Sequence, residues 1–549
     1  MLVHMHIKWT TDGVRSAPPA IIVVLLALLL WSGEYLRRDL MAPDEARYAL
    51  VSQEMREGHW LVPFRQGEYY AHKPPLMFWL TNAFSAFTGF EIGKLAPRLP
   101  SLLGACLALW AATQLAARWF GLRAAWWVLV ILPSSFLFWN KGGFGQIDML
   151  LCGLEMMALY FLFTASGARS LILAYAFMGL GILAKGPVGF IVPLGAYITA
   201  ILASRTSFPR PHWHWAWGTA IALLFPATWF ALILWQGAPD GFWEELLMKQ
   251  NIGRAAGEFG GHARPWHYFI PYYLLDFLPW TFLLPAAWVG LAATPESRQQ
   301  RRLLLGWILF VVIFFSLSGS KRNLYILLVY PANALLIAGS LTHWGSLSPR
   351  LRSISALLPI GLLGLLGLVM LIAPASGQLP FPAWPLIPSG IALLCGSGFA
   401  WSQLRRDSGD LAWLRSLTLL MLGVFAWTGA FIIPNANDLK TPRELIEPTS
   451  RLLTEGDRLI VYRMHGEIYS LYTGFKGKMI FTDADLKDFI TTSKQRNHVL
   501  VAKASDISAL KSVFLDPMDT HRFQSGSKDL IWVEITQRPQ FDQLPETPE

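Results

Sequence analysis

Runs of apolar residues longer than any soluble core can hide dominate this chain. IIVVLLALLLW (21–31), LLLGWILFVVIFFSL (303–317) and IGLLGLLGLVMLIAP (360–374) are the plainest. A helix crosses the hydrocarbon layer of a bilayer with roughly 20 such residues. Of the 549 residues 54% are hydrophobic and only 15% charged, against about 25% charged in soluble domains. A transmembrane barrel is excluded, because its strands alternate apolar and polar residues. The chain reads as a mainly α, polytopic transmembrane helix bundle.

About thirteen candidate spans follow from apolar length, near 18–36, 95–118, 122–138, 146–164, 168–184, 187–204, 213–236, 268–291, 303–318, 322–341, 353–374, 383–402 and 411–433. With the N-terminus inside, Arg118 and Arg123, Arg169, Arg205 and Arg210, Arg298, Arg301 and Arg302, Arg350 and Arg352, and Arg405 and Arg406 all fall in inner loops. That is the positive-inside pattern. It also accounts for the net charge of +9, since nucleic-acid binding needs one concentrated basic patch. Lys8 and Arg15 before an apolar run suggest a signal peptide, but with no small-residue cleavage site after it the first span is expected to stay. Cys106, Cys152 and Cys395 lie in apolar runs and read as packing residues.

An odd number of spans delivers the tail, 434–549, to the outer side. There RLIVYRM (458–464), KMIFT (478–482), NHVLVAKA (497–504) and LIWVEI (530–535) read as strands, separated by helical segments such as 483–495. A small soluble α/β domain is expected, with the role of a structural cap. The transmembrane domain is taken as 1–433, with large outer loops at about 37–94 and 237–267.

The first of those loops breaks the charge pattern. Pro43-Asp44-Glu45 signals a helix start, and residues 44–57 carry apolar positions at helical spacing, as in an amphipathic helix on a membrane surface. A second short helix is opened by Lys73-Pro74-Pro75. Asp44-Glu45 also fits a helix cap, and Glu54, Glu57 and Glu68 read as a solvated face. Lys141 and Asp148 bracket GGFGQI, Lys185 sits in AKGP between two spans, Lys249, Arg254, Glu258, His262 and Arg264 populate the second loop, and Lys321-Arg322 open another span. Lys141 and Arg254 are ordinary solvated loop residues in the bland reading. Taken together, cations stranded on the outer side call for a bound anion, and a phosphate or pyrophosphate fits.

PDEARYALVSQEM (43–55) with HKPPLMFWL (72–80), then GQIDMLL (145–151), ARPWHYFIPYY (263–273) and KRNLYILLVYPA (321–332), resembles the GT-C membrane glycosyltransferases. Within them the resemblance is to the bacterial lipid A aminoarabinose transferases, a branch akin to protein mannosyltransferases, and it runs over the whole chain. It implies transfer of a sugar, with inversion, from undecaprenyl phosphate to lipid A or another surface glycolipid, at the periplasmic face of the bacterial inner membrane. It makes Asp44 the catalytic carboxylate and gives Lys73, Arg264 and Tyr325 the lipid phosphate. Glu45, Tyr70, His72, Asp148, Lys185, His262 and Arg322 would line the donor–acceptor cavity. Lysine and arginine stand in for a catalytic metal, so no cofactor is required, which leaves room for a structural divalent ion.

One position departs from the branch, where an acidic residue usually precedes the motif lysine. His72 stands there, so a sugar other than 4-amino-4-deoxy-L-arabinose stays open. A protein O-mannosyltransferase shares the Asp-Glu loop. An oligosaccharyltransferase would carry a WWD-type motif in its outer domain, whereas Trp126-Trp127 lie within a span and precede Val128. A transporter of lipid-linked cargo would show paired internal repeats, and none is evident.

Overall fold

The computed structural model describes residues 17–205, 214–253, 264–407, 409–442, 445–446, 451, 453, 458–492, 497–513, 520–525 and 528–536. By contacts the chain divides into two compact units. The larger comprises Met1–Arg38, Trp60–Val62 and Tyr70–Pro434; the smaller comprises Asp39–His59, Pro63–Tyr69 and Asn435–Glu549.

The larger unit is a bundle of apolar helices around one core. Among the described residues seven helices are long and apolar enough to cross a membrane: Ala20–Arg37, Leu99–Phe120, Ala168–Lys185, His214–Gln236, Pro295–Leu317, Pro349–Ser376 and Ala412–Ala436. An eighth follows if Leu122–Ile131 and Phe136–Gly143, bent by 63°, cross as one. Other expected spans fall on the helices Ile147–Phe163, Val188–Ser204 and Leu386–Arg406. Segments 268–291 and 322–341 differ from expectation. The first is split into Phe269–Leu275 and Trp280–Gly290, and the second opens with a 3-10 turn, Asn323–Ile326, before Val329–Leu341.

The breaks have a chemical reason. Pro133 cannot donate a helical hydrogen bond, and its ring opens the turn before it. Beyond it the Phe136 and Leu137 N–H groups donate to the carbonyls of Leu278 and Asp276, at 3.1 and 2.9 Å. Trp280 Nε1 donates to Ser134 Oγ at 3.0 Å. Two interrupted segments thus satisfy one another, which irregular backbone at membrane depth requires.

Helices in lipid gain little from apolar burial against each other, so close backbone packing carries the association. Leu99–Phe120 and Ile147–Phe163 show this where they cross. A Cβ on Gly104 would lie 2.3 Å from the Met149 carbonyl oxygen, and one on Gly153 would lie 2.4 Å from that of Gly104.

In the smaller unit, strands β1 (Phe64–Arg65) and β2 (Glu68–Tyr69) form a hairpin. Strands β3 (Arg458–Tyr462), β4 (Gly477–Ile480), β5 (Asn497–Lys503), β6 (Thr520–Ser525) and β7 (Lys528–Thr536) form a sheet in the order β4-β3-β5-β7-β6. β3 pairs in parallel with β4 and β5, whereas β7 runs antiparallel to β5 and β6. Alternation along β3 sends Leu459 and Val461 to one face and Ile460 and Tyr462 to the other. Thr520–Ser525 lacks a β-branched run, and its pairing with β7 rather than its composition makes it a strand.

The helix Asp44–Met55 belongs to this unit, and all its residues but Arg47 and Gln53 are buried. It packs on the helix Glu467–Thr473, and its Ala46 joins the core on one face of the sheet. The expected surface helix is therefore an internal one. Glu54 also departs from its expected solvated role. Its carboxylate is buried and accepts from the backbone N–H of Gln66 and of Gly67, at 2.9 Å for the latter. Those two residues form the tip of the β1–β2 hairpin, with φ of 58° and 80°, as a primed two-residue turn demands. Burial pushes the Glu54 carboxyl above its usual range, against the two N–H groups that favour its charge. Glu57 and Glu68 are exposed at Glu57 Oε2–Lys476 Nζ (2.6 Å) and at the Glu68–Lys478 pair.

Candidate functional site: a cation-lined cavity in the helix bundle

Within the larger unit a cavity of about 390 Å³ is lined by His72, Lys73, Pro74, Lys185, Gly186, Val188, Leu246, Phe314, Phe315, Leu317, Ser318, Ser320 and Tyr325. Each charged side chain is delivered by a helix end. Lys185 closes the helix Ala168–Lys185, where a cation meets the negative end of the dipole. Gly186 follows at φ 85°, a backbone conformation that a side chain would strain, and Pro187 opens the helix Val188–Ser204. Lys73 precedes Pro74-Pro75, which disfavour helix before them and start Leu76–Phe84 after them.

Asp148 lies in the first turn of Ile147–Phe163. Its Oδ1 pairs with the Lys185 ammonium, and both side chains are largely buried. That ammonium also sits 4.4 Å from the centre of the Tyr325 ring. His72 Nε2 meets Glu245 Oε1 at 2.9 Å, and the His72 ring lies 4.8 Å from that of buried Tyr70. The fold thus gathers His72, Lys73, Lys185 and Tyr325 on one cavity, with Asp148 and Tyr70 behind it.

A second cavity, of about 310 Å³, shares Pro74, Gly186 and Leu246 with the first. The rest of its lining is apolar, including Ile182, Phe190, Ile191, Leu223, Trp229 and Phe230. A charged head and an apolar tail on one ligand would be matched by this pair of spaces.

Other expected site residues lie elsewhere. Arg264 is exposed, and its carbonyl accepts from Lys321 Nζ at 2.9 Å. Lys321 also donates to the Ser318 carbonyl, so Arg264 is tethered beside the serines of the cavity without being part of its lining. Arg322 is likewise not part of the lining. Asp44 and Glu45 belong to the smaller unit. Asp44 is 7% exposed, with Oδ1 3.8 Å from Arg47 Nη1. Glu45 Oε2 accepts from the Met41 N–H at 3.0 Å and secures the start of its helix. His262, Arg254, Glu258 and Arg210 lie outside the described residues. Sequence reasoning missed Glu245, Ser318, Ser320 and the tethering role of Lys321. The serine and glycine run SLSGS at the end of an apolar helix was the available signal.

The helix Pro295–Leu317 relates the cavity to the loop charges. Its first turns carry Arg298, Arg301 and Arg302 and it ends at Leu317 in the cavity lining, about 22 to 28 Å further on at 1.5 Å per residue. The cavity is therefore at the end of the bundle opposite those arginines.

Residues 72–230 match the dolichyl-phosphate-mannose-protein mannosyltransferase family. The undecaprenyl phosphate-α-4-amino-4-deoxy-L-arabinose arabinosyl transferase of Shewanella sediminis is 30% identical over 461 residues, covering 80% of this chain and 82% of its own. Its counterpart in Serratia proteamaculans is 28% identical over 444 residues, covering 78% of each. Among solved structures, that of ArnT from Cupriavidus metallidurans bound to undecaprenyl phosphate shares the fold. Its TM-score is 0.75 at 22% identity, over 93% of this chain and 97% of that one. Helix bundle, small α/β unit and cation-lined cavity together define a multi-pass membrane glycosyltransferase of the GT-C fold. The chain belongs to the family of undecaprenyl phosphate-α-4-amino-4-deoxy-L-arabinose arabinosyl transferases.

Proposed function

We propose that the protein moves 4-amino-4-deoxy-L-arabinose from undecaprenyl phosphate to lipid A or a related surface glycolipid, at the periplasmic face of the inner membrane. The observation that carries this reading is the pair of cavities that share Pro74, Gly186 and Leu246 in their walls, one presenting Lys73 and Lys185, the other apolar. The names of the relatives support the donor and sugar, and the distance of the cavity from the loop arginines supports the periplasmic side.

In the transfer the acceptor oxygen attacks the anomeric carbon from the face opposite the phosphate. The carbon–oxygen bond to phosphate breaks with inversion, and undecaprenyl phosphate leaves carrying one more negative charge. Lys73 and Lys185, with Arg264 and the Tyr325 hydroxyl, hold that charge as it develops, which is commonly the largest catalytic contribution. A phosphate acceptor is already anionic and needs no base. For a hydroxyl acceptor, Asp44 takes the proton; otherwise it orients the sugar and stabilises its positive character. No divalent ion takes part in this scheme.

Mass spectrometry of lipid A and of secreted proteins, from cells with and without the gene, tests the proposal. Loss of an aminoarabinose mass from lipid A is expected. An unchanged lipid A profile with a hexose lost from secreted proteins overturns it in favour of protein O-mannosylation, the reading that the match over residues 72–230 supports.

A further inference from the structure

The larger unit holds another charged cavity, at the end of the bundle away from Lys73 and Lys185. Its volume is about 700 Å³, and its wall includes Arg123, Trp126, Trp127, Trp344, Arg415 and Leu419. Gln300, in the arginine-bearing start of Pro295–Leu317, donates through Nε2 to the Trp119 carbonyl at 2.7 Å, four residues before Arg123. The cavity therefore lies at the end where Arg298, Arg301 and Arg302 gather, and its indoles suit the level where lipid head groups meet hydrocarbon. Trp126 and Leu419 are exposed on spanning helices, so the cavity opens sideways to lipid.

Two helices begin at this wall, Leu122–Ile131 and Ala412–Trp427, and neither has a side-chain cap. Such ends favour an anion. Val329–Leu341 ends here with the opposite polarity, and the Thr342 hydroxyl donates to its Gly339 carbonyl at 2.6 Å.

Three arginines converge on the same space. Arg123 and Arg415 are exposed at the rim. Arg352 arrives from the helix Pro349–Ile372. Its Nη1 is 3.0 Å from where a Cβ on the wall residue Gly409 would lie, and its Nε is buried with no hydrogen-bond partner among the described residues. The opposing charges on the adjoining turn are Asp407 and Asp410. Asp407 Oδ1 accepts from the Gly409 N–H and Asp410 Oδ1 from the Leu411 N–H, each at 2.7 Å. Arg415 Nη2 is 3.5 Å from Asp410 Oδ1, with both side chains mostly exposed. Such a pair contributes little, and a phosphate offers the guanidinium a stronger two-bond contact.

We propose that this cavity binds one anionic glycerophospholipid of the leaflet beside the arginine-rich loops. Its phosphate lies among Arg123, Arg352 and Arg415, and an acyl chain runs over Trp126, Val130 and Leu419. Basic pockets between spans on the inner side of a membrane recognise lipids of this class. A free phosphate would satisfy the cations and leave the apolar wall uncovered.

The test uses delipidated full-length protein in detergent, with excess undecaprenyl phosphate present to fill the cavity at the other end. Phosphatidylglycerol, phosphatidylethanolamine or inorganic phosphate is added, and binding is followed by native mass spectrometry and by the thermal midpoint. Phosphatidylglycerol is expected to bind about tenfold more tightly than phosphatidylethanolamine, the scale of one to two arginines near an anionic head group, and to raise the midpoint. Arg123→Gln/Arg415→Gln should abolish that preference, and Arg123→Lys/Arg415→Lys should keep part of it. Equal binding of the two lipids, an equal midpoint rise from inorganic phosphate, or an unchanged preference in the glutamine variant overturns the inference. Should the glutamine variant fail to fold, a photoreactive phosphatidylglycerol on the unaltered protein decides: labelling within 123–130 or 409–419 supports the site, and labelling only elsewhere overturns it.

Discussion

Lys185 is shared between two partners: its ammonium pairs with the Asp148 carboxylate and lies 4.4 Å from the centre of the Tyr325 ring. The residues come from three helical segments, yet they meet where Lys185 and Tyr325 line the cation-rich cavity. Asp148 lets the cavity keep a second lysine beside Lys73 before any phosphate arrives, because a charge at this depth is tolerated only when partnered.

Removing one member of that pair strands the other. Lys185→Met is expected to cost up to about 3 kcal/mol of stability, from breaking a largely buried pair. Lys185→Met/Asp148→Leu should regain most of it while transfer stays lost. Thermal unfolding in detergent, beside a transfer assay, separates the two effects; transfer restored in the double variant would deny Lys185 a part in the reaction.

Lys73→Ala is expected to lower kcat/KM by about a hundredfold or more, since the proposed scheme has Lys73 hold the charge that develops on the phosphate. Asp44→Asn should fall at least as far, with both proteins still membrane-inserted and monodisperse. Turnover near wild type in either one contradicts the assigned roles.

Ile191 and Leu223 line the apolar cavity. A tryptophan at either position narrows it, so KM for an undecaprenyl donor should rise about tenfold, or 1.4 kcal/mol. A donor with a short prenyl chain should be affected little. Equal effects on both donors would mean that the tail lies elsewhere.

Glu467 links stability to pH. Burial penalises its charge, yet Arg47 and Arg65 outweigh that and hold the folded value below the ordinary 4.5, so its stabilising contribution is present above that value and fades as pH falls from about 4.5 through the lower folded value. The thermal midpoint of the wild type should drop in that window, and Glu467→Gln should flatten the drop. Glu54, raised by burial, has the opposite sign: its contribution is present below 4.5 and is lost as pH rises through its folded value.

Transfer in liposomes is expected to be unchanged by a divalent-metal chelator, because in the proposed scheme lysine and arginine carry the leaving-group charge. A loss of turnover restored by one added ion would assign that ion to the reaction.

Much of this protein was legible before any coordinates. Apolar run length is a local property, so helices at Ala20–Arg37, Leu99–Phe120 and Pro295–Leu317 followed from composition alone, and β-branched runs marked β3, β5 and β7. The motif HKPP and the lone AKGP lysine singled out two cations that proved to share one cavity.

Tertiary structure decided what local pattern cannot contain. The splits at Leu132–Ser135 and Asp276–Pro279 depend on each other for backbone hydrogen bonds across more than 130 residues, so neither is visible in its own segment. The helix Asp44–Met55 carries an amphipathic pattern that suits a membrane surface, but apolar spacing says only that one face will be covered and not by what; residues 400 positions away cover part of it. Charge is the same case. A sequence counts Lys185, Asp148, Glu54 and Glu467, while only three-dimensional proximity, through the steep fall of electrostatic and hydrogen-bond energy with distance, determines which of them are spent on each other and which are left for a ligand.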